Sequence, residues 1–164
     1  MTVEELLARE AIRHTMAGYN MFGDRLKIAD LVQLFAEDGV LELEGTRDTP
    51  GPRYEGREAI RQFFTSMMPS PKPDSAPPAA APAAPKPGTK PFVRHHITTS
   101  RIELTGPDTA EARTYFAVYT LAGPDHCGYY LDNFKKVGDD WLFALRRPRV
   151  DWFSSDSHFR SRGE

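Results

Sequence analysis

Four consecutive runs of β-type sequence fill the second half of the chain, and they constrain the fold more than any other feature. Short turn sequences containing glycine, proline or aspartate separate them. The runs span residues 92–105, 109–122, 127–138 and 141–152. Because such short connections join neighbouring strands only in the antiparallel direction, the pattern predicts an antiparallel meander. A sheet of this size must bury one face against other elements.

The first half of the chain supplies candidate helices for that cover. Thr2 and Glu5 have the spacing of a capping box, and apolar residues then recur at helical spacing. Helices are predicted at 3–20, from 28 to before Asp38, and from 56 to near 68, with short extended segments at 40–43 and 54–55. Helices followed by a meander predict an α+β fold in which three N-terminal helices cover one sheet face.

Residues 69–91 differ from the rest because proline and alanine dominate them. Proline at this density prevents regular helix or sheet, so we predict a disordered insertion. Such a segment is either a lid over a site or a tolerated excursion. The chain has 164 residues, which is enough for one domain and too few for two ordinary ones, so 1–164 is predicted to be a single domain.

Composition excludes several classes of function. The net charge is −2, and no block of Lys and Arg indicates a nucleic-acid partner. No apolar run approaches the roughly 20 residues that span a bilayer, and the acidic start does not resemble a secretory signal, so we expect a cytoplasmic protein that does not enter membranes. Cys127 is the only cysteine. No Cys/His cluster has the spacing of zinc ligands, so no metal site is expected.

A pair of histidines at the start of the first β run is the main candidate for chemistry. Alternation along a strand places His95 on the same face as Val93, Ile97 and Thr99, and places His96 on the other face. An imidazole on an apolar face is either a core histidine whose hydrogen bonds are satisfied or a group that transfers protons. Strand parity alone leaves both interpretations open.

Several short motifs occur in a characteristic order along the chain. They are Leu34-Phe-Ala-Glu-Asp-Gly39, Gly56-Arg-Glu-Ala-Ile60, Arg94-His-His-Ile-Thr98, Gly128-x-Tyr130-x-Asp132-x-Phe134 and Trp141 to Arg147. Together they resemble SnoaL-like proteins of the nuclear-transport-factor-2-like cone-fold superfamily, which includes scytalone dehydratase and ketosteroid isomerase. The resemblance covers nearly the whole chain except 69–91. The resemblance implies a cone-shaped, curved antiparallel sheet covered by the three helices.

The resemblance also implies a catalytic dyad. Asp24 and His95 occupy the positions of the paired aspartate and histidine in members similar to scytalone dehydratase. The position of a second catalytic histidine in those members falls near Tyr119 or Thr120, so the resemblance does not extend to that residue. From the sequence pattern alone, Asp24 between two helices is equally well explained as a helix cap. In the dyad interpretation the carboxylate orients the imidazole for general acid–base catalysis.

The function implied by the resemblance is that of a cofactor-independent lyase or isomerase, of the dehydratase or proton-transfer type. Its expected substrate is a small hydrophobic cyclic or polyketide-like molecule, and no cofactor is expected. Two alternatives remain: a binding protein without catalysis, and a structural subunit resembling the small subunits of ring-hydroxylating dioxygenases.

Further residues are candidates for contact with a ligand. Aromatic side chains that could form a pocket wall, or pack in the core instead, are Tyr19, Phe116, Tyr119, Tyr130 and Trp141. Asp132 lies on the Tyr130 face, where it could contact a ligand or form an ion pair with Arg147 of the next run.

The outer face of the predicted sheet is also rich in apolar residues. The residues concerned are Tyr115, Ala117, Tyr119, Leu121, Tyr129 and Leu131. A sheet with two apolar faces needs a cover on each. We therefore expect a homodimer formed through this outer face.

Overall fold

The structure is a computed structural model and describes residues 1–45, 50–68, 91–157 and 159. The insertion predicted at 69–91 lies outside the described residues except for Pro91.

Three helices lie in the described part of the first half of the chain, as predicted. They are α1 (Val3–Gly23), α2 (Ile28–Gln33) and α3 (Gly56–Ser66). The predicted capping box begins α1, since the Thr2 hydroxyl accepts the Glu5 N–H at 3.2 Å and the Glu5 carboxylate accepts the Thr2 N–H at 2.9 Å. These two bonds satisfy backbone donors that a helix start otherwise leaves without partners.

Six strands within the described ranges form one curved, unclosed sheet. They are β1 (Phe35–Glu42), β2 (Arg53–Glu55), β3 (Arg94–Leu104), β4 (Thr109–Thr120), β5 (Gly123–Val137) and β6 (Asp140–Phe153). Their order is β2-β1-β6-β5-β4-β3, so the predicted meander of β3 to β6 is confirmed. The α+β class and the cone-like arrangement are confirmed as well.

The sheet is mixed and not wholly antiparallel as predicted, because β1 runs parallel to β6. Asp38 and Gly39 are typical turn residues, yet they lie inside β1, where the pairing register shifts between Phe35 and Val40. A Cβ on Gly39 would lie 2.8 Å from the Phe143 carbonyl oxygen of β6. The glycine therefore permits a close approach of two strands at a bulge.

The hydrophobic core lies between the helices and the inner face of the sheet. Ile12 and Met16 of α1 pack there with Leu31 of α2, Ile60 of α3 and Phe143 of β6, all of them buried. Burial alternates strictly along most of β4, as expected for a strand with one covered face. The opposite, outer face leaves Tyr115 and Tyr119 exposed by 48% and 42%.

Strand β3 keeps the predicted parity only at its start. His95 and Ile97 lie on the inner side, but the register shifts between Ile97 and Ser100. Thr99 is therefore exposed, contrary to the prediction, and Ser100 turns inward, where its hydroxyl lies 2.8 Å from that of Thr114. A bulge adds a residue to one strand and reverses the facing of everything beyond it.

Candidate active site

Asp24 and His95 are in direct contact. The Asp24 Oδ1 lies 2.6 Å from the His95 Nδ1, and the Asp24 Oδ2 accepts the His95 backbone N–H at 3.1 Å. Asp24 does not cap α2, whose N-cap is Lys27 and has no side-chain hydrogen bond. The carboxylate therefore holds both the backbone and the ring of His95.

The end of α1 delivers Asp24 to this position. The Asp24 N–H donates to the Asn20 carbonyl, the Lys27 N–H donates to the Phe22 carbonyl, and Leu26 has a left-handed backbone with φ of 56°. A non-glycine residue in this region is uncommon and marks a sharp reversal of the chain. The reversal leaves the Asp24 side chain directed at the start of β3.

Two-point attachment fixes the orientation of the His95 ring. An ionised carboxylate only accepts hydrogen bonds, so Nδ1 carries the hydrogen in the neutral ring and Nε2 has the free lone pair. Among the residues that the structure describes, no hydrogen bond engages the His95 Nε2. His95 is only partly buried, so this atom is available to accept a proton.

A second pair of the same kind, Asp125 and His126, lies beside the first and is not predicted by the sequence pattern. The Asp125 Oδ1 is 2.7 Å from the His126 Nδ1, and the His126 and His95 rings are 6.2 Å apart. Both histidines pair in register with Val118, His95 from β3 and His126 from β5. They therefore flank one position of the central strand on the same face.

Both side chains of the second pair are buried. The Phe153 and Phe159 rings lie 5.4 and 5.0 Å from the His126 ring, and the Ser157 hydroxyl donates to the Asp125 carboxylate at 2.6 Å. Burial lowers the pKa of His126, and the nearby His95 charge lowers it further, while Asp125 acts in the opposite direction.

The sequence before His126 is typical of a turn, and for that reason it does not predict that His126 lies in a strand. Gly123-Pro-Asp125 resembles a turn before a strand that starts at residue 127. In the structure the turn is Leu121 and Ala122, and β5 begins at Gly123 with φ of 102°. A two-residue turn places His126 opposite Val118.

Three of the predicted aromatic residues form a continuous set that begins at the histidines. The Phe116 ring centre lies 6.5 Å from that of His95 and 4.6 Å from that of Tyr130, on which Phe116 stacks. The Tyr130 ring in turn contacts the Tyr19 ring edge-on, with the two centres 6.1 Å apart. The Tyr130 hydroxyl donates to the Asn20 side-chain oxygen at 3.4 Å. Burial raises the pKa of Tyr19 to about 12 and raises that of Tyr130 as well, so both phenols are neutral.

Asp132 pairs with Arg146 and not with Arg147 as predicted. Asp132 and Arg146 are opposite each other on β5 and β6, and both side chains are fully buried. Arg147 faces the other way, and its Nε lies 2.8 Å from the Glu42 Oε1. The Arg146 Nη2 lies 3.4 Å from the Asp132 Oδ2. The guanidinium also lies 3.8 Å from the Tyr130 ring centre and 4.0 Å from that of Tyr19.

This buried ion pair is poorly hydrogen-bonded. Among the described residues, neither Asp132 oxygen and none of the Arg146 nitrogens has a hydrogen-bond partner. Burial raises the pKa of Asp132 to about 7, although Arg146 acts to lower it. The pair is held mainly by aromatic contact with the cation, which is worth more when the cation is desolvated.

Tyr119 and Trp141 lie away from the other candidates. Tyr119 is on the outer face with its ring 5.2 Å from that of His96, because odd positions of β4 face outward. Trp141 is buried in the helix–sheet core, where its carbonyl accepts the Thr15 hydroxyl at 2.6 Å. It pairs with Lys136, ten residues along β5 from His126, which is roughly 33 Å in an extended strand.

A groove of about 440 Å³ lies on the outer face and touches neither histidine pair. Charged side chains line much of it, including Arg101, Glu103, Glu111 and Arg113.

No group of three or more His, Cys, Asp or Glu side chains within the described ranges could hold a metal ion. None of the helices in the described part is long and apolar enough to cross a membrane.

Solved structures of the same fold include enzymes by name. "Putative Scytalone Dehydratase" from Novosphingobium aromaticivorans DSM 12444 is 21% identical, with 98% of this chain and 95% of that chain covered and a TM-score of 0.70. The hexachlorocyclohexane dehydrochlorinase LinA-type3 from Novosphingobium barchaimii LL02 is 16% identical, with 97% and 98% covered and a TM-score of 0.68.

A subunit of a larger enzyme has the same fold. The beta subunit of a "putative aromatic-ring-hydroxylating dioxygenase", also from Novosphingobium aromaticivorans DSM 12444, is 16% identical, with 92% and 93% covered and a TM-score of 0.68. Similarity at these identities shows the fold and leaves the reaction open.

Sequence comparison assigns the family. No curated protein matches the chain significantly. The SnoaL-like domain matches residues 4–147, which is most of the chain and includes both histidine pairs. This match confirms the resemblance found in the motifs: the chain belongs to the SnoaL-like domain family.

Proposed function

We propose that this protein is a cofactor-independent lyase or isomerase that removes a proton from carbon in a small hydrophobic cyclic substrate. His95 is the base, and Asp24 is the residue that positions it. The observation that carries the proposal is the two-point contact of Asp24 with His95, at 2.6 Å to the ring and 3.1 Å to the backbone. A core histidine is expected to bond through both ring nitrogens, whereas among the described residues only the Nδ1 of His95 has a partner.

The chemistry follows from the free Nε2 of His95. This atom takes a proton from a carbon that a neighbouring carbonyl or leaving group makes acidic, and the Asp24 carboxylate stabilises the imidazolium that forms. Loss of a leaving group then completes an elimination, whereas return of the proton to another carbon completes an isomerisation. Neither outcome requires an electron acceptor.

The surroundings of the dyad support a hydrophobic substrate. Phe116 and Tyr130 present aromatic rings beside His95, and both phenols of the aromatic set are neutral. Two of the structures with this fold are named for eliminations, one of water and one of hydrogen chloride. An elimination from a compact, apolar ring is consistent with both observations.

A generic carbon acid tests the proposal without a known substrate. 5-Nitrobenzisoxazole loses its C3 proton to a base, its N–O bond breaks, and a coloured cyanophenolate forms. We expect wild-type protein to accelerate this reaction and His95→Gln to lose about a hundred- to ten-thousandfold of the rate. His96→Gln is the matched control because the neighbouring His96 is exposed and faces away.

The assay has clear contrary outcomes. Full activity in His95→Gln would remove His95 as the base. In parallel, a thermal-shift screen of hydrophobic cyclic compounds narrows the substrate class, since a ligand at a hundredfold excess over its Kd stabilises the fold by about 2.7 kcal/mol.

We also propose a homodimer formed through the outer sheet face. Tyr115 and Tyr119 are exposed there, and Tyr129 and Leu131 of β5 are only half-buried beside them. Burying this surface removes apolar area from water. Sedimentation of wild-type protein and of Tyr115→Lys at micromolar concentration tests the proposal, and a wild-type protein that stays monomeric would contradict it.

A further inference from the structure

We propose that His126, positioned by Asp125, is a second proton-transfer group of the same site and donates the proton that the leaving group or the second carbon requires. The inference rests on the proposed function and extends it from one base to a base and an acid. It rests on the geometry of the two histidine pairs and not on the family resemblance.

The rings of His95 and His126 lie close to each other and to the ring of Phe116. Their rings are 6.2 Å apart, and Phe116 lies within contact of both, at 6.5 Å from His95 and 5.9 Å from His126. Each occupies the position next to Val118 on its own strand. A molecule bound against Phe116 is therefore within reach of both imidazoles.

Each ring is oriented in the same way. Asp125 holds the His126 Nδ1 at 2.7 Å, as Asp24 holds the His95 Nδ1 at 2.6 Å. Among the described residues, the His126 Nε2 has no hydrogen-bond partner, as is also true of the His95 Nε2. A histidine with a purely structural role, buried at only 8% exposure, is expected to use both ring nitrogens.

The short distance between the His95 and His126 rings favours a state in which only one of them is protonated. Two imidazolium ions this close repel each other, so protonation of one ring disfavours protonation of the other. Among the described residues, the charged groups that act on His126 are Asp125 and His95, while Phe153 and Phe159 cover it with apolar surface. The singly protonated pair therefore consists of one acid and one base.

The elimination balances with this pair alone. The His95 Nε2 takes the proton from carbon, and the C–H electrons form the new double bond. The bond to the leaving oxygen breaks, its electrons go to that oxygen, and the His126 Nε2–H protonates it. The site ends with His95 protonated and His126 neutral, and transfer of one proton between the rings through water restores the starting state.

Leaving-group dependence tests the role of His126. Unsubstituted benzisoxazole releases a more basic phenolate than its 5-nitro derivative, so it benefits more from an acid. We expect His126→Gln to slow the unsubstituted probe by about a hundredfold and the 5-nitro probe by only a few-fold. His14→Gln is the control because His14 is an exposed helix residue.

Wild-type protein supplies a second measurement that does not depend on the folding of a variant. With unsubstituted benzisoxazole, the rate should fall at both low and high pH, since only the singly protonated pair is active. With the 5-nitro probe the alkaline fall should be weak or absent.

The outcomes separate the two proposals. Equal slowing of both probes in His126→Gln, or identical pH profiles for the two probes with wild type, would overturn the role of His126 and leave His95 as the base. Absence of any acceleration by wild-type protein would overturn the proposed function together with this extension of it.

Discussion

Two pairs in this protein, Asp24–His95 and Asp132–Arg146, each combine a carboxylate with a basic side chain but differ in burial and in hydrogen bonding. Asp24 contacts His95 through two short hydrogen bonds near the start of β3, whereas Asp132 lies 3.4 Å from Arg146 in the sealed interior and forms no hydrogen bond there among described residues. The first pair contains an imidazole, a group that can accept a proton and release it again. The second contains a partner that never does.

The difference teaches what burial does to each pair. The partly exposed histidine keeps a free nitrogen for chemistry, while the buried arginine is surrounded by the rings of Tyr19, Tyr130 and Phe143. Removing an ion pair from water costs more than its attraction returns unless hydrogen bonds complete it. We therefore expect variants at the first pair to change rate and variants at the second to change stability.

The largest expected effect is on stability at the buried pair. Above pH 7, where the Asp132 carboxyl is ionised, Arg146→Met should cost about 3–5 kcal/mol, because it leaves that carboxylate buried without a counter-charge. Chemical denaturation measures this cost. Adding Asp132→Leu to Arg146→Met should recover most of it, and a double variant no more stable than the single one would show that the aromatic contacts matter more than the charge.

The next effect is on rate at the exposed pair. Asp24→Asn should slow the 5-nitrobenzisoxazole reaction by about a hundredfold or more, since an amide can bond to the ring without stabilising the imidazolium. Its unfolding free energy should change by only about 1 kcal/mol, because the amide keeps one hydrogen bond. A large loss of stability with an unchanged rate would reverse the two roles assigned to the pairs.

A third effect is the pH dependence of stability from Asp132. Its pKa is about 7 in the folded protein, against an ordinary aspartate value of 3.8, so the folded state keeps a proton that the unfolded chain releases. The contribution is fully present below about pH 4 and is lost as pH rises through about 7. Asp132→Asn should remove this decline.

Unfolding free energies of wild type and Asp132→Asn across that range give the measurement as a difference. The lowered pKa of His126 contributes a slope of opposite sign that is common to both proteins and cancels. Parallel profiles would indicate that the Asp132 carboxyl is ionised throughout in the folded state.

The smallest effect belongs to His96. It follows His95 directly but is exposed on the outer side with its ring against Tyr119. His96→Gln should change stability by less than about 0.5 kcal/mol and leave the rate unchanged. A slowed reaction would show that the bulge in β3 allows the two histidines to exchange facing.

Patterns local to the chain predicted much of the fold. The capping box, the three helices, the meander and the juxtaposed positions of Asp24 and His95 could be inferred from spacing and family motifs. Bulges and tight turns could not, because they depend on pairing with a partner strand. The bulge after Ile97 reversed Thr99 and Ser100, and the two-residue turn before Gly123 moved His126 into the site.

The parallel pairing of β1 with β6 has a consequence for synthesis of the chain. Phe35 pairs with Phe143, so β1 cannot form this pairing until β6 has left the ribosome. Contacts between residues so far apart along the chain slow folding and prolong exposure of apolar surface. Nascent chains that end before β6 should therefore depend on chaperones, and emergence of β6 should end that dependence.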